Sequence, residues 1–195
     1  MISAIILAAG MSVRMGSPKQ LLKIGNSPLI RIVTENVLLS DVDEALVVTG
    51  CRQKEVGDAI SDLPVKIIYN PRYKEGQGTS LALGVRSISA GVSAFIVFMV
   101  DQPLISASLI NMLIDEFKKR RCLALRPVCK GLPGHPVIFS SSVIEELKNL
   151  SGDEGARQVL KKLKDKVEYF EVQDEAVILD IDTPENFEQF IKRMN

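Results

Sequence analysis

The sequence predicts an α/β domain organised around a largely parallel sheet, and three observations carry that prediction. Short apolar runs alternate along the chain with longer stretches whose apolar residues recur at helical spacing. The first run, Ser3 to Ala9, has no polar residue after its serine and stops at Gly10. A run without alternation suits a strand covered on both faces. Finally, 46% of the 195 residues are hydrophobic and no polar or low-complexity linker divides them. One domain spanning residues 1–195, with a substantial core, is expected.

After the first strand, Ser27-Pro28 reads as an N-cap followed by proline at the first helical position. Leu29, Ile32, Val33, Asn36 and Val37 then share one helical face. Ala45 to Thr49 is the second strand, closed by Gly50, and Val65 to Tyr69 is the third, ended by Asn70-Pro71. Thr79 or Ser80 caps a helix running to Ile88. Ala94 to Val100 is the most apolar strand and stops at Asp101. Ser106 caps the next helix, with Leu109, Met112, Leu113 and Phe117 as its buried stripe. Strands at Cys122–Val128 and Pro136–Phe139 flank a loop rich in glycine and proline. Two short helices, Ser142–Leu150 and Gly155–Lys164, precede strands at Val167–Val172 and Val177–Ile181, and a last helix begins at Pro184.

Composition narrows the function. Lys and Arg number 24 and Asp and Glu number 24, so no bulk charge points to a nucleic-acid or membrane-surface partner. The run Lys118 to Arg121 ends a predicted helix, where cations favour the dipole. Three cysteines without paired spacing argue against a disulfide framework, and a single histidine without a CxxC motif argues against structural zinc. The N-terminal apolar stretch is too short to span a bilayer and ends in a glycine loop, so a cytoplasmic protein is expected.

The loop after the first strand, Gly10-Met11-Ser12-Val13-Arg14-Met15-Gly16-Ser17-Pro18-Lys19, carries the clearest chemistry. Glycines let backbone N–H groups approach an anion, while Arg14 adds a planar fork and Lys19 a mobile point charge. The pattern suits a polyphosphate cradle at the carboxyl end of a strand. Walker A spacing is absent, because Ser17-Pro18 separate Gly16 from Lys19. The three-glycine dinucleotide fingerprint is absent too, which disfavours a dinucleotide-dependent oxidoreductase. An ordinary turn bearing solvated cations is the plain alternative.

Other residues extend the constellation. Asp101 leaves an otherwise apolar strand at the end where open α/β sheets collect ligands, and a carboxylate there can hold Mg²⁺. A turn or capping role is the alternative, weakened by Ser106 being the better cap. Asp180 and Asp182 flank Ile181 on a predicted strand, so they should point to opposite faces. Gly76, Gly78, Thr79 and Ser80 form a second polar loop, either a seat for a planar base or a turn with a helix cap. His135 sits in a stiff Pro-Gly-His-Pro loop, and is either structural or presented to a ligand. In Gly152 to Arg157, Asp153 reads as a helix cap, whereas Arg157 opposes the helix dipole and is a candidate for ligand binding.

LAAGMSVRMGSPKQLL resembles the signature loop of the MobA-like nucleotidyltransferases, closest to the molybdenum cofactor cytidylyltransferase group. Asn70 to Val85, Asp101 to Pro103, Gly134 to Phe139, Gly152 to Arg157 and Asp180 to Phe187 are similar to that group in the same order. The resemblance implies a three-layer, Rossmann-like fold of the nucleotide-diphospho-sugar transferase type. It implies that Leu7, Ala8, Ala9, Gly10, Arg14 and Lys19 bind the nucleotide, with Gly78, Thr79 and Ser80 reading its base. Arg14, Lys19 and Asp101 would be catalytic, Asp101 and Asp182 would hold Mg²⁺, and His135 and Arg157 would lie near the acceptor. The implied reaction moves CMP from CTP to the phosphate of a molybdenum pterin cofactor, whose product serves a molybdenum hydroxylase. GTP, a sugar or polyol phosphate acceptor, or a non-catalytic cofactor-binding role are the other readings.

Overall fold

The computed structural model describes residues 1–153 and 155–194. In chain order its elements are β1 (Ile2–Ala8), β2 (Lys23–Ile24), β3 (Ser27–Pro28), α1 (Leu29–Leu38), β4 (Glu44–Thr49), α2 (Gln53–Asp58), β5 (Lys66–Tyr69), α3 (Gln77–Ser87) and β6 (Ala94–Met99). They continue with α4 (Ala107–Lys119), β7 (Ala124–Cys129), β8 (Leu132–Pro133), β9 (Val137–Ser140), α5 (Ile144–Leu147), α6 (Arg157–Leu163), β10 (Val167–Glu171) and α7 (Pro184–Met194). The main sheet runs β10-β7-β9-β6-β1-β4-β5, with β8 paired to β7.

The pairs β1–β4, β1–β6, β4–β5 and β7–β10 are parallel, and β9 runs against both β6 and β7. The expected mixed α/β architecture with a mostly parallel sheet is therefore present. Residues of β1 alternate between two cores. Ile2, Ala4, Ile6 and Ala8 pack with α1, α2 and α4, while Ile5 and Leu7 pack with α3, α5 and α6. Covering on both faces is why the strand reads as an unbroken apolar run. Phe95 of β6 stacks on Phe139 of β9 with centroids 5.4 Å apart, fully buried, and joins the two halves of the sheet.

Parallel strands bring the loops after β1, β4, β5 and β6 to one rim. The reversed strand adds to it, since Val137 at the start of β9 lies opposite Val97 near the end of β6. The loop before β9, which contains His135, therefore lies at the same rim as the loops that follow the parallel strands.

Several sequence expectations fail locally. Ser27-Pro28 is not a cap but the second strand of a small hairpin with β2. Thr79 and Ser80 lie inside α3, which begins two residues earlier at Gln77. The buried stripe of α4 is Leu109, Ile110, Leu113 and Ile114, with Met112 turned outward. Ser106 caps that helix as expected, accepting from Leu109 N at 3.3 Å. Asp153 does not cap α6, which starts at Arg157 behind Ala156, and Glu154 lies outside the described residues. Val177–Ile181 is no strand: a 3₁₀ turn, Glu175–Ile178, leads into extended chain. Its apolar residues are buried as anchors rather than ladder rungs, with Val177 and Ile181 both 1% exposed or less.

Two glycine loops interlock at the rim. Gly76 has φ +109°, and a Cβ there would lie 2.2 Å from the Gly152 carbonyl carbon. Gly78 N donates to Gly152 O at 2.8 Å. A side chain at position 76 combines a left-handed conformation with a backbone clash, each strongly resisted. Gly76→Ala is expected to lower the unfolding free energy by about 1–3 kcal/mol or more, measured as a lower urea midpoint. An unchanged midpoint would show that the two loops are not rigidly packed.

Candidate active site

The loop after β1 is tied down by Gln20, whose side chain is fully buried. Its Nε2 donates to Ala8 O at 3.0 Å and to Gly10 O at 2.7 Å. Ser12 has φ +53°, and its Oγ accepts from Lys19 N at 3.0 Å. Left-handed backbone is needed at Ser12 and Gly16, whereas Gly10 has ordinary φ and leaves its side open to the cleft. Met15 anchors the loop from below in a small core with Leu29 and Ile181, flanked by Leu22, Phe187 and Phe190.

That small core sets the charged groups. Ile181 N donates to Asp101 O at 2.9 Å, which locks the chain bearing Asp180 and Asp182 to the end of β6. Lys19 Nζ then donates to Asp101 Oδ2 and, at 3.0 Å, to Asp182 Oδ1. Two carboxylates sharing one ammonium lie within about 6 Å of each other. Arg14, 72% exposed, reaches the other Asp182 oxygen at 3.0 Å. The groups that the sequence assigned separately to phosphates and to metal are thus in contact. Because the chain here is not a strand, Asp180 and Asp182 do not diverge as the alternation predicted. Both line the same cleft, and Asp180 Oδ1 accepts from Gln102 Nε2 at 2.7 Å.

Burial alone would pull the Lys19 ammonium down, but the Asp101 and Asp182 charges outweigh it and hold its pKa above the ordinary lysine value. Burial pushes Asp182 up, and the Lys19 and Arg14 contacts overturn that, leaving it below the usual carboxylate range. Asp180 goes the other way: burial, then the neighbouring Asp101 charge, raise it. Asp101 Oδ1 is buried and without a hydrogen-bond partner among the described residues. An enclosed carboxylate oxygen left unpartnered is costly, and a cation supplied with a ligand would relieve it. Among the described residues no group of three carboxylate, thiol or imidazole ligands is arranged around a metal position. Two carboxylates in an open cleft instead fit Mg²⁺, which keeps waters and substrate phosphates in its shell.

The cleft has a volume of about 490 Å³ and is lined by Leu7, Ala9, Gly10, Arg14, Lys19, Ser80, Asp101, Asp182 and Arg157 among the residues picked from the sequence. Ala8, Gly78 and Thr79 do not line it. Ala8 is buried under the strand end. Gly78 is glycine because a Cβ would lie 2.7 Å from Ser151 O. Thr79 Oγ1 lies 2.9 Å from Gly76 O and 3.0 Å from Arg72 O, and accepts from Asn70 Nδ2 at 2.9 Å. Buried Asn70 also donates to Ser80 Oγ at 2.9 Å and so organises the whole second loop. Gln20, Asn70, Tyr73, Lys74 and Gln77 were missed as site-building residues. Gln20 could have been found as an amide following a glycine loop, where buried carbonyls need donors.

His135 and Arg157 line a deeper pocket that joins the cleft, together with Arg126, another residue the sequence did not single out. The space beside Gly134 is filled: a Cβ would meet Val177 O at 2.2 Å, and His135 N donates to that carbonyl at 2.9 Å. Burial, then the Arg126 charge, push the His135 imidazole down to about 4, so it is neutral at physiological pH.

Asp180 yields a pH prediction. Its folded-state pKa is raised, so its contribution is present at low pH, where both states are protonated, and is lost as pH rises through that value. Asp180→Asn keeps the acceptor for Gln102 and removes the charge. It is expected to melt above the wild type at pH 7 in the absence of nucleotide, with the gap closing towards pH 4. An equal or lower melting temperature at pH 7 would show that Asp180 is not charge-stressed.

The chain resembles known proteins along nearly its whole length. The purine catabolism protein PucB of Bacillus subtilis is 29% identical over 98% of this chain and 96% of its own length. The molybdenum cofactor cytidylyltransferase of Escherichia coli is 30% identical over 95% and 93%. The nicotine blue oxidoreductase of Paenarthrobacter nicotinovorans is 26% identical over 94% and 93%. In structure, Rv0371c of Mycobacterium tuberculosis superposes with a TM-score of 0.88 at 22% identity, covering 98% of this chain and 97% of that one. The MobA-like NTP transferase domain model matches residues 4–167. With a matching family model over most of its length and the mostly parallel sheet described above, the chain belongs to the MobA-like NTP transferase domain family.

Proposed function

We propose that the protein transfers CMP from CTP to the phosphate of a molybdenum pterin cofactor, releasing pyrophosphate, and that Mg²⁺ assists. The observation that carries the transfer reading is the Lys19 ammonium shared by Asp101 and Asp182 beneath an open glycine loop, with Asp101 Oδ1 enclosed and unpartnered. CTP and the pterin acceptor are supported by the Escherichia coli cytidylyltransferase, which matches along nearly the whole of both chains. A molybdenum hydroxylase would then be the consumer of the product.

An oxygen of the acceptor phosphate attacks the α-phosphorus of CTP, a new P–O bond forms, and the bond to the β-phosphate breaks. Both reactants are anions, so the chain must cancel repulsion and hold them in line. At 4 Å and an effective dielectric near 20, one charge pair is worth about 4 kcal/mol before desolvation. Arg14 is exposed and can turn from Asp182 to the phosphates, while Lys19 supplies a fixed ammonium deeper in the cleft. Asp101 and Asp182 would hold Mg²⁺, which supplies positive charge to the phosphate oxygens. An acceptor phosphate is already a nucleophile at neutral pH, so no residue need act as general base, and neutral His135 is not assigned that role.

Removing one preorganised charge contact typically costs about 10²–10³ in rate. Lys19→Ala and Asp101→Asn are each expected to lose pyrophosphate release with CTP and pterin cofactor by that factor, with the fold intact by circular dichroism. In a thermal-shift series, CTP with Mg²⁺ is expected to raise the melting temperature more than GTP, ATP or UTP, because a ligand of the folded state stabilises it. A larger shift with GTP would overturn the choice of nucleotide, and near-normal turnover in both variants would overturn the transfer reading.

A further inference from the structure

The pocket beside the cleft holds positive charge that the reaction above does not use. Its volume is about 140 Å³, and it is continuous with the cleft through Leu7, Gln77, Met99 and Arg157, which line both. Its floor is apolar, and Arg126, His135 and Arg157 supply polar edges.

Arg126 stands on β7, one residue after Leu125, which pairs with Ile138 of β9. The guanidinium therefore comes level with the His135 loop. Its Nε donates to Gly134 O at 2.9 Å and one Nη to Pro133 O at 3.2 Å, both neutral carbonyls. No carboxylate of the described residues pairs with Arg126 or Arg157. By contrast, Arg14, Arg52 and Arg72 each hold one and Arg31 and Arg120 two. Arg86 and Arg121, which also lack one among the described residues, are exposed and line neither the pocket nor the cleft. Burial depresses Arg126, its cross-strand neighbour Tyr169 opposes this, and the Arg157 charge, close enough to be felt, adds to the depression. His135 Nδ1 is enclosed there with no partner among the described residues. Arg126 is half-buried and Arg157 exposed at the pocket's edge, and two guanidiniums without a carboxylate partner, converging beside an enclosed ring nitrogen, favour an anion between them.

We propose that this pocket is a second anion subsite, in which Arg126 and Arg157 grip the non-reacting anionic end of the acceptor, and Arg126 thereby helps select it. The inference rests on the transferase reading and adds a property of the substrate. The acceptor carries two anionic groups, a phosphate monoester that reaches the Lys19 lobe and a second, compact one at its far end.

The chain has a single histidine, so histidine labelled with ¹³C and ¹⁵N gives one imidazole signal that reports on the subsite. Sodium sulfate, titrated at constant ionic strength first without nucleotide and again with CTP and Mg²⁺ bound, is expected to shift that signal saturably in both. Arg157→Gln and Arg126→Gln are each expected to weaken the response at least tenfold. Arg157 makes no hydrogen bond or ion pair with another described residue, so its variant separates the lost charge from any disturbance of the Pro133–Gly134 loop that Arg126 supports. Three results would overturn the subsite: no saturable shift in the wild type, an undiminished shift in Arg157→Gln, or a shift that vanishes when CTP binds. The last would assign the pocket to the nucleotide's own phosphates. Thermal stabilisation by CTP and Mg²⁺, read on the same samples, keeps the two readings apart. Stabilisation without a sulfate response sinks the subsite alone, whereas no stabilisation sinks the transferase reading and the acceptor assignment with it.

Discussion

Three carboxylates, Asp101, Asp180 and Asp182, crowd one wall of the cleft, and the half-buried ammonium of Lys19 makes their proximity tolerable. The backbone bond from Ile181 to Asp101 holds the carboxylate pair together. The apolar contacts of Met15 and Ile181 bring the cationic loop to them. Like charges at such distances repel by several kcal/mol at the effective dielectric of a protein, about 4 at 4 Å. A cation there is therefore a structural requirement before it is a catalytic one. In the ligand-free chain Lys19 fills that need, and the reading advanced above has Mg²⁺ and triphosphate arrive together and rearrange the same charges.

The topology explains why a second pocket adjoins the cleft. In a wholly parallel sheet every loop at the rim follows a strand, and the loop before a strand lies at the opposite edge. Reversal of β9 between β6 and β7 carries the His135 loop to the working edge, beside Arg126 of β7. The sheet is thereby divided, with the glycine loop, Asn70 and Asp101 on its parallel half and the paired arginines on the half beyond β9. The Phe95–Phe139 stack fixes the spacing between these halves from within the core.

Much of this was legible in the sequence, for physical reasons. An apolar run ending at glycine and two cations marks a strand and its anion-seeking loop, and Asp101 stands out because nothing polar precedes it on its strand. What escaped was set by partners far along the chain. Val177–Ile181 has the composition of a strand, but it is apolar because it is pinned to Asp101 and His135 by single backbone bonds. The alternation argument that would have turned Asp180 away from Asp182 failed with it. Thr79 resembles a cap or a base-reading hydroxyl, yet Asn70, Arg72 and Gly76 occupy it. Arg126 matters through the carbonyls of Pro133 and Gly134, which lie in a loop that only the reversal of β9 brings beside it.

The central claim is that Lys19 and an incoming divalent cation use the same carboxylates, with nucleotide tipping the balance. Mn²⁺ binding followed by electron paramagnetic resonance tests it directly, since bound and free ion give distinct signals. The account predicts weak binding to the protein alone, at least tenfold tighter binding when CTP is present, and loss of that tightening in Asp182→Asn. Tight binding that ignores CTP, or tightening that survives in Asp182→Asn, would contradict it.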